Sequence, residues 1–427
     1  MFPNVPDALP LPPRPNLERY RKLAKELVKA CRSDDPSAVR AWADAWIGSL
    51  GRLAGLEGRP GRRAAEVEAF ARRRLSGTRT CALADAQFVI ARSHGFESWP
   101  KLARYIEAVA QSHSRTARFE SAVDAIVRGD APALRRLLRE EPDLVRGRSE
   151  REHAATLLHY VAANGVENYR QRTPPNIVEI ATILLDAGAA VDATAPLYGG
   201  ECTALGLAAT SIHPENAGVQ EELLALLLDR GAAIDRPVAG RKHPIVVACL
   251  ANGRRKAAAF LAERGAPLDL AGAAALGRLD LVRAFLERGD VTPDERLRAF
   301  LFACEYGGPA AVEMLLEKDA DLGAHSGYGQ TALHRAVIGG DLATVKFLLR
   351  FDPPLEAKNA YGGTVLAQAL WSAAHGGDPA TYAEIIEALL AAGARLPPTH
   401  VPVNEPIDAL LRRHGSEPEP AWTWDEE

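Results

Sequence analysis

The chain has 427 residues, 47% of them apolar and 25% charged, which is material for an extended core and, by length alone, for two or three domains. No uninterrupted apolar run reaches the 18 or more residues of a membrane-spanning helix, and Met1-Phe2-Pro3-Asn4-Val5-Pro6 lacks the basic and apolar regions of an export signal. Charge divides the chain: residues 1–115 carry 20 Lys and Arg against 12 Asp and Glu (net +8), the remainder 31 against 43 (net −12).

After a proline-rich lead (Pro10, Pro12, Pro13, Pro15), Asn16 is placed to cap a helix over Leu17–Val28 whose apolar residues recur at intervals of three and four, giving one buried stripe and one basic face. Asp35-Pro36-Ser37 opens a second helix, Ala38 to Leu50; Gly51 to Arg63, rich in Gly and Arg, reads as a loop. A third helix follows over Ala64 to Leu75, then a helix, turn and helix built from 82–91, His94-Gly95-Phe96 and 98–106.

Pro15-Asn16-Leu17-Glu18, Leu23-Ala24-Lys25, Asp85-Ala86-Gln87-Phe88-Val89-Ile90-Ala91 and His94-Gly95-Phe96-Glu97-Ser98-Trp99-Pro100-Lys101-Leu102 resemble a helical module that precedes ankyrin repeats in many bacterial proteins. The resemblance implies a bacterial, cytoplasmic interaction protein and carries no activity. The spacing of Ala91 and Gly95 together with the positive balance suits a helix-turn-helix on nucleic acid. Pro100 stands where base-reading side chains belong, however, and Lys101 and Arg104 alone make no base-contact set.

Beyond residue 115 one pattern returns: a small residue, a Gly about four on, an apolar position, and a Leu-Leu-like pair closing on Gly-Ala. It begins at Ala125, Thr156-Leu157-Leu158-His159, Thr203-Ala204-Leu205, His243-Pro244-Ile245, Ala273, Ala303 and Thr331-Ala332-Leu333-His334, and returns 33 residues after the last as Thr364-Val365-Leu366. This period and its T-x-L-H opening resemble the ankyrin repeat, a β-turn followed by two antiparallel helices. The expected fold is all-α: a solenoid of about eight irregular repeats with short β-hairpin fingers, preceded by a small helical module. The two resemblances cover about residues 14 to 400. The expected division is 1–115 for the module, 116–400 for the repeats and 401–427 for a capping helix opened by Asn404 and an acidic tail with Trp422 and Trp424.

Within a repeat, the Thr suits a helix N-cap, its His can hydrogen-bond between neighbouring repeats, and Gly after the Leu pair suits a left-handed C-cap. The array departs from the template by insertions at Val166 to Asn176, Ser211 to Gln220 and Trp371 to Ala380, and by a hairpin finger nearly absent between Gly265 and Gly289. Insertions map to loops on one edge, a binding edge or a tolerant surface.

Motifs for chemistry are missing: no H-E-x-x-H, C-x-x-C, phosphate-binding lysine loop or G-x-S-x-G occurs. Gly327-Tyr328-Gly329-Gln330-Thr331-Ala332 fits a dinucleotide fingerprint in letters only, since no βαβ context surrounds it. Cys31, Cys81, Cys202, Cys249 and Cys304 are scattered and read as reduced thiols of a cytosolic chain. No cofactor, metal or catalytic residue is expected.

The expected function is a non-enzymatic scaffold that binds a protein or peptide, basic by complementarity with the acidic repeats, as a monomer and away from membranes. A nucleic-acid-binding regulator using the basic module is the alternative, and an enzyme whose groups converge only in the fold is a third reading. What the ankyrin resemblance implies for the site is the finger tips and the inner face of each first helix: Tyr198 and Thr210 with Ser211; Asn164; Glu305 and Tyr306; Tyr328, Gln330 and Ile338; Tyr361, Trp371 and Ser372. The aromatic members offer large contact area at low conformational cost.

Overall fold

Asn16 opens the first helix as its chemistry dictates: Oδ1 accepts from the amides of Glu18 and Arg19, donors that a helix start leaves without partners. The computed structural model describes residues 3, 4, 6–12, 14–51, 53, 60–75, 81–236, 243–316 and 322–419. Helices α1 (Leu17–Cys31), α2 (Ala38–Leu50), α3 (Pro60–Leu75), α4 (Leu83–Ser93) and α5 (Trp99–Val109) bury one core that includes Leu27, Trp46, Ile47, Val67, Ile90 and Leu102. Pro60–Arg63, expected within a loop, are already helical, because proline is tolerated in a first helical turn. Residues 52 and 54–59 of that loop, and the tail with Trp422 and Trp424, lie outside the described residues.

The chain forms two compact units, Met1–Ala266 and Pro267–Glu427. In the first, the five helices are followed by α6 (Arg115–Arg128), α7 (Ala131–Glu140), α8 (Leu157–Val161), α9 (Ile177–Asp186), β1 (Thr194–Leu197), β2 (Gly200–Thr203), α10 (Ala204–Thr210), α11 (Ile212–Asn216), α12 (Gln220–Asp229), α13 (Ile245–Ala251) and α14 (Arg255–Glu263). Helices α6, α8, α10 and α13 pack in succession as one layer and α7, α9, α12 and α14 as another. Leu134, Leu157, Leu184, Leu205, Leu227 and Leu261 are all buried, so each short hairpin shields its apolar face with its neighbours.

The second unit continues the plan with α15 (Leu270–Ala275), α16 (Leu279–Glu287), α17 (Pro293–Phe302) extended by a π-helical turn (Ala303–Gly307), α18 (Pro309–Leu315), α19 (Ala332–Gly339), α20 (Leu342–Leu349), α21 (Val365–Ala374) and α22 (Pro379–Ala391). First helices α15, α17, α19 and α21 stack, as do α16, α18, α20 and α22. Small residues let the first helices close up: a Cβ added at Gly307 would lie 2.1 Å from the Ala274 carbonyl oxygen, and one at Gly339 would lie 2.0 Å from that of Glu305. After α22 come β3 (Thr399–His400), α23 (Glu405–Arg413) and β4 (Glu417–Pro418). Asn404 caps α23 through Ile407 N, and α23 packs on α22.

The repeat threonines and histidines act as their positions imply. Thr203 Oγ1 accepts from Gly206 N at 3.2 Å and Thr364 Oγ1 from Ala367 N at 3.3 Å. The imidazole of His159 reaches the Cys202 carbonyl at 3.0 Å, and that of His334 reaches Gly363 O at 3.2 Å. Chain reversal after the Leu pairs falls on Gly188, Gly231 and Gly393 with φ of 92°, 88° and 97°, the left-handed region that glycine enters without penalty.

Candidate functional site

In the second unit, α19, α21, the loop after α21 and the start of α22 border an open cleft of about 450 Å³ lined by Ile338, Trp371, Ser372, His375, Asp378 and Tyr382. Gly376, with φ of 106°, turns the chain, and Gly377 admits no side chain because a Cβ there would lie 2.3 Å from Tyr382 Cε2. Asp378 closes the loop by accepting from Thr381 N and Oγ1 at 2.9 and 2.6 Å; those bonds hold its carboxyl below the usual range. The Tyr382 hydroxyl donates to Val337 O at 2.8 Å, fastening α22 to α19.

Trp371 is 59% exposed, with His375 stacked at 4.2 Å between centroids and 13° between planes. The His375 ring is held by its Nδ1, 2.7 Å from Trp371 O. A rigid indole is thus presented on a helix, the arrangement that gives an anchor large contact area with little ordering cost.

Of the residues expected to meet a partner, Ile338, Trp371 and Ser372 share this cleft. Tyr328 and Tyr361 are 62% and 80% exposed on successive fingers, which are tied by Ala360 N donating to Tyr328 O at 2.8 Å. Gln330 is half-buried at the foot of its finger, where its carbonyl accepts from Ser326 N at 3.3 Å. Tyr306 is half-buried and stacked on Phe302 at 6.2 Å. Glu305 is only 7% exposed and is ion-paired with Arg335, so its carboxylate faces the interior; burial raises its pKa against the opposing effect of Arg335.

In the first unit, Tyr198 and Gly199 form the two-residue turn between β1 and β2, both with positive φ (52° and 77°), as a tight hairpin demands. The Tyr198 hydroxyl donates to Asn164 Oδ1 at 2.6 Å, and Asn164 Nδ2 donates to Thr210 Oγ1 and Leu207 O, each at 3.1 Å. Tyr198, Asn164 and Thr210 are therefore one hydrogen-bonded set, while Ser211 is buried beside it with its hydroxyl 3.4 Å from Ala163 O.

Two of the insertions are anchored by buried polar side chains. In the second repeat, Glu167 and Arg170 are buried: Glu167 Oε1 lies 2.5 Å from Arg151 Nε and 3.6 Å from Arg170 Nη1, and Arg170 Nη2 lies 2.5 Å from Glu120 Oε2. Burial alone would raise the Glu167 carboxyl, but Arg151 and Arg170 outweigh it and hold the group well below the ordinary range. Arg151 Nη1 also donates to His94 O at 2.6 Å, and Arg92 pairs with Glu152 at 2.6 Å, so the His94-Gly95-Phe96 turn is the socket that receives the repeats. In the third repeat, buried Gln220 donates to Ala208 O, Ala209 O and Ser211 O at 2.9, 3.3 and 3.0 Å, closing the end of α10.

Part of the module's positive charge is paired, Arg21 with Glu18 and Lys22 with Glu26 on α1 and Arg40 with Asp44, Arg63 with Asp7, Arg72 with Glu68 and Arg74 with Asp85 beyond it. At the end of the second unit, His400 Nδ1 lies 3.0 Å from Ser416 Oγ and its Nε2 3.3 Å from Asp408 Oδ1. Ser416 has no exposed surface, so this set pins the last strands to α23 rather than meeting a substrate. Among the described residues no group of three His, Cys, Asp or Glu is placed to hold a metal, and no helix is long and apolar enough to cross a membrane.

Residues 270–361 and 300–399 match the family model of ankyrin repeats, in three copies. The C-terminal part of the chain is therefore an ankyrin-repeat region, and such repeats serve protein–protein interaction. No curated protein matches the chain.

Proposed function

We propose that the chain is a non-enzymatic adaptor that holds a basic protein or peptide segment on its second unit, with Trp371 as the principal anchor. The observation that carries this reading is the exposed indole beside a cleft shared with Ile338 and Asp378. One ring face lies on His375, and 59% of the residue stays exposed, aromatic surface to which a Lys or Arg side chain is attracted through the indole quadrupole. Residues 267–427 contain 13 Lys and Arg against 24 Asp and Glu, a net of −11, a field that steers a basic segment toward the unit. Tyr328 and Tyr361 extend the contact along the fingers.

The test is selection of peptides from a random-sequence display library on the intact protein, followed by calorimetry of the recovered peptides with wild type, Trp371→Ala and Tyr361→Ala. Peptides rich in Lys and Arg are expected, with a loss of about 2 kcal/mol on Trp371→Ala and weaker binding at high salt. Recovered peptides that bind both variants as they bind wild type would remove this surface.

A further inference from the structure

A cavity of about 490 Å³ lies in the first unit between the N-terminal lead, α5, α6 and the insertion of the second repeat. Its lining combines Leu11, Pro12, Val109 and Val127 with Arg128, Arg151, Arg170, Arg172, Glu120 and Asp124. Cavities of this size that combine apolar lining with a few polar groups are the usual form of a small-molecule site.

All but one of these guanidinium groups have a carboxylate partner. Arg151 is taken by Glu167 at 2.5 Å and Arg170 by Glu120 at 2.5 Å, while Asp124 sits 3.7 Å from Arg128. Arg172 is exposed on the rim and, among the described residues, has no ion-pair partner. The buried Arg170 is committed to its neighbours, with Nη2 2.5 Å from Glu120 and Nη1 3.6 Å from Glu167 Oε1, which leaves Arg172 as the cavity's uncompensated charge. A surplus guanidinium at the mouth of a half-apolar cavity favours an anion attached to an apolar body.

We infer that this cavity binds a small organic anion, its carboxylate or phosphate on Arg172 and its apolar body against Leu11, Pro12, Val109 and Val127. The ligand would join the N-terminal lead to the second-repeat insertion, two segments already linked where Asn168 N donates to Pro6 O at 2.8 Å. This site is independent of the Trp371 surface.

The experiment titrates the full chain calorimetrically with 1-naphthaleneacetate, 1-naphthyl phosphate and the uncharged 2-(1-naphthyl)ethanol, which share a ring and differ in head group. One or both anions are expected to bind at a single site at least about tenfold more tightly than the alcohol, and their ranking separates carboxylate from phosphate. Arg172→Gln, at an exposed position, is expected to bring the anions down to the level of the alcohol. Val127→Trp, which adds bulk to the apolar lining, is expected to abolish all three, and Arg283→Gln, exposed in the second unit, to bind as wild type. Absence of anion binding, equal binding of the alcohol, or an Arg172→Gln protein that binds anions as wild type would each overturn the inference.

Discussion

The imidazole Nε2 of His159 lies 3.0 Å from the carbonyl oxygen of Cys202, one repeat further along the chain. Thr156 N donates to the other ring nitrogen, Nδ1, at 3.2 Å, which leaves Nδ1 as acceptor and places the proton on Nε2. Only this neutral tautomer satisfies both contacts. His334 repeats the arrangement with Thr331 N at 3.4 Å and Gly363 O at 3.2 Å.

His159 and His334 each join their repeat to the next, so removing one deletes an inter-repeat hydrogen bond and leaves a cavity. His334→Ala is expected to cost about 1 to 3 kcal/mol, from the cavity left by a fully buried imidazole and the lost bond to Gly363 O, which keeps Asn359 N as a donor. Urea unfolding of wild type and variant measures it; a change within about 0.5 kcal/mol, the size of a surface substitution, would show that the contact adds nothing.

The same burial sets a pH dependence. Burial lowers the pKa of His94 to about 3 and of His159 to about 4, against the opposing bonds to Leu9 O and Cys202 O. Between the unfolded value of about 6.5 and those folded values, the unfolded chain binds protons that the folded chain refuses, so stability falls as pH falls. Each group contributes up to about 1.4 kcal/mol per pH unit in that window. Unfolding midpoints at pH 7.5, 6.5 and 5.5 should decrease in that order below pH 7, and a His159→Gln protein should lose part of the slope.

The hairpin architecture was legible because the requirements of a repeat are local: a hydroxyl at the helix start, a glycine at the reversal, leucines at helical spacing. Where two glycines adjoin, the template could not tell them apart. Gly307 fits the turn position by spacing, yet the left-handed turn is at Gly308, with φ of 77°, and Gly307 marks the close approach to Ala274. The interior ion network was not legible, since Glu120, Arg151 and Glu167 are remote in sequence and each resembles a surface residue. A run of Arg, Glu and Tyr inside an insertion was the available signal. Glu305 was placed on the partner surface by register alone; the π-helical turn over Ala303–Gly307 accompanies its position facing Arg335.

Glu167 tests whether the second-repeat insertion is a strut. Its carboxylate lies between Arg151 and Arg170, all three buried, and deleting one member of a buried ion network leaves charges uncompensated. Glu167→Ala is expected to destabilise the protein by about 3 to 5 kcal/mol, while Glu150→Ala, an exposed carboxylate nearby in sequence, stays within about 0.5 kcal/mol. Equal unfolding midpoints for the two variants would mean that the insertion is a tolerant surface loop after all.

Gly339 offers the sharpest packing test, because backbone rather than side chain stands in the way. A Cβ at this position would lie 2.0 Å from Glu305 O and 2.9 Å from its carbonyl carbon, so α19 must retreat from the preceding first helix to admit even a methyl group. In an isolated helix Gly→Ala stabilises by roughly 1 kcal/mol; here the sign should reverse, with a loss of about 1 to 3 kcal/mol or more from overpacking. Gly61→Ala, in the first turn of α3, where a Cβ would meet nothing within 4 Å, should be neutral or mildly stabilising, within about 0.5 kcal/mol. Denaturant unfolding of both variants decides the matter: Gly339→Ala as stable as wild type would mean that the first helices of the second unit are not in backbone contact.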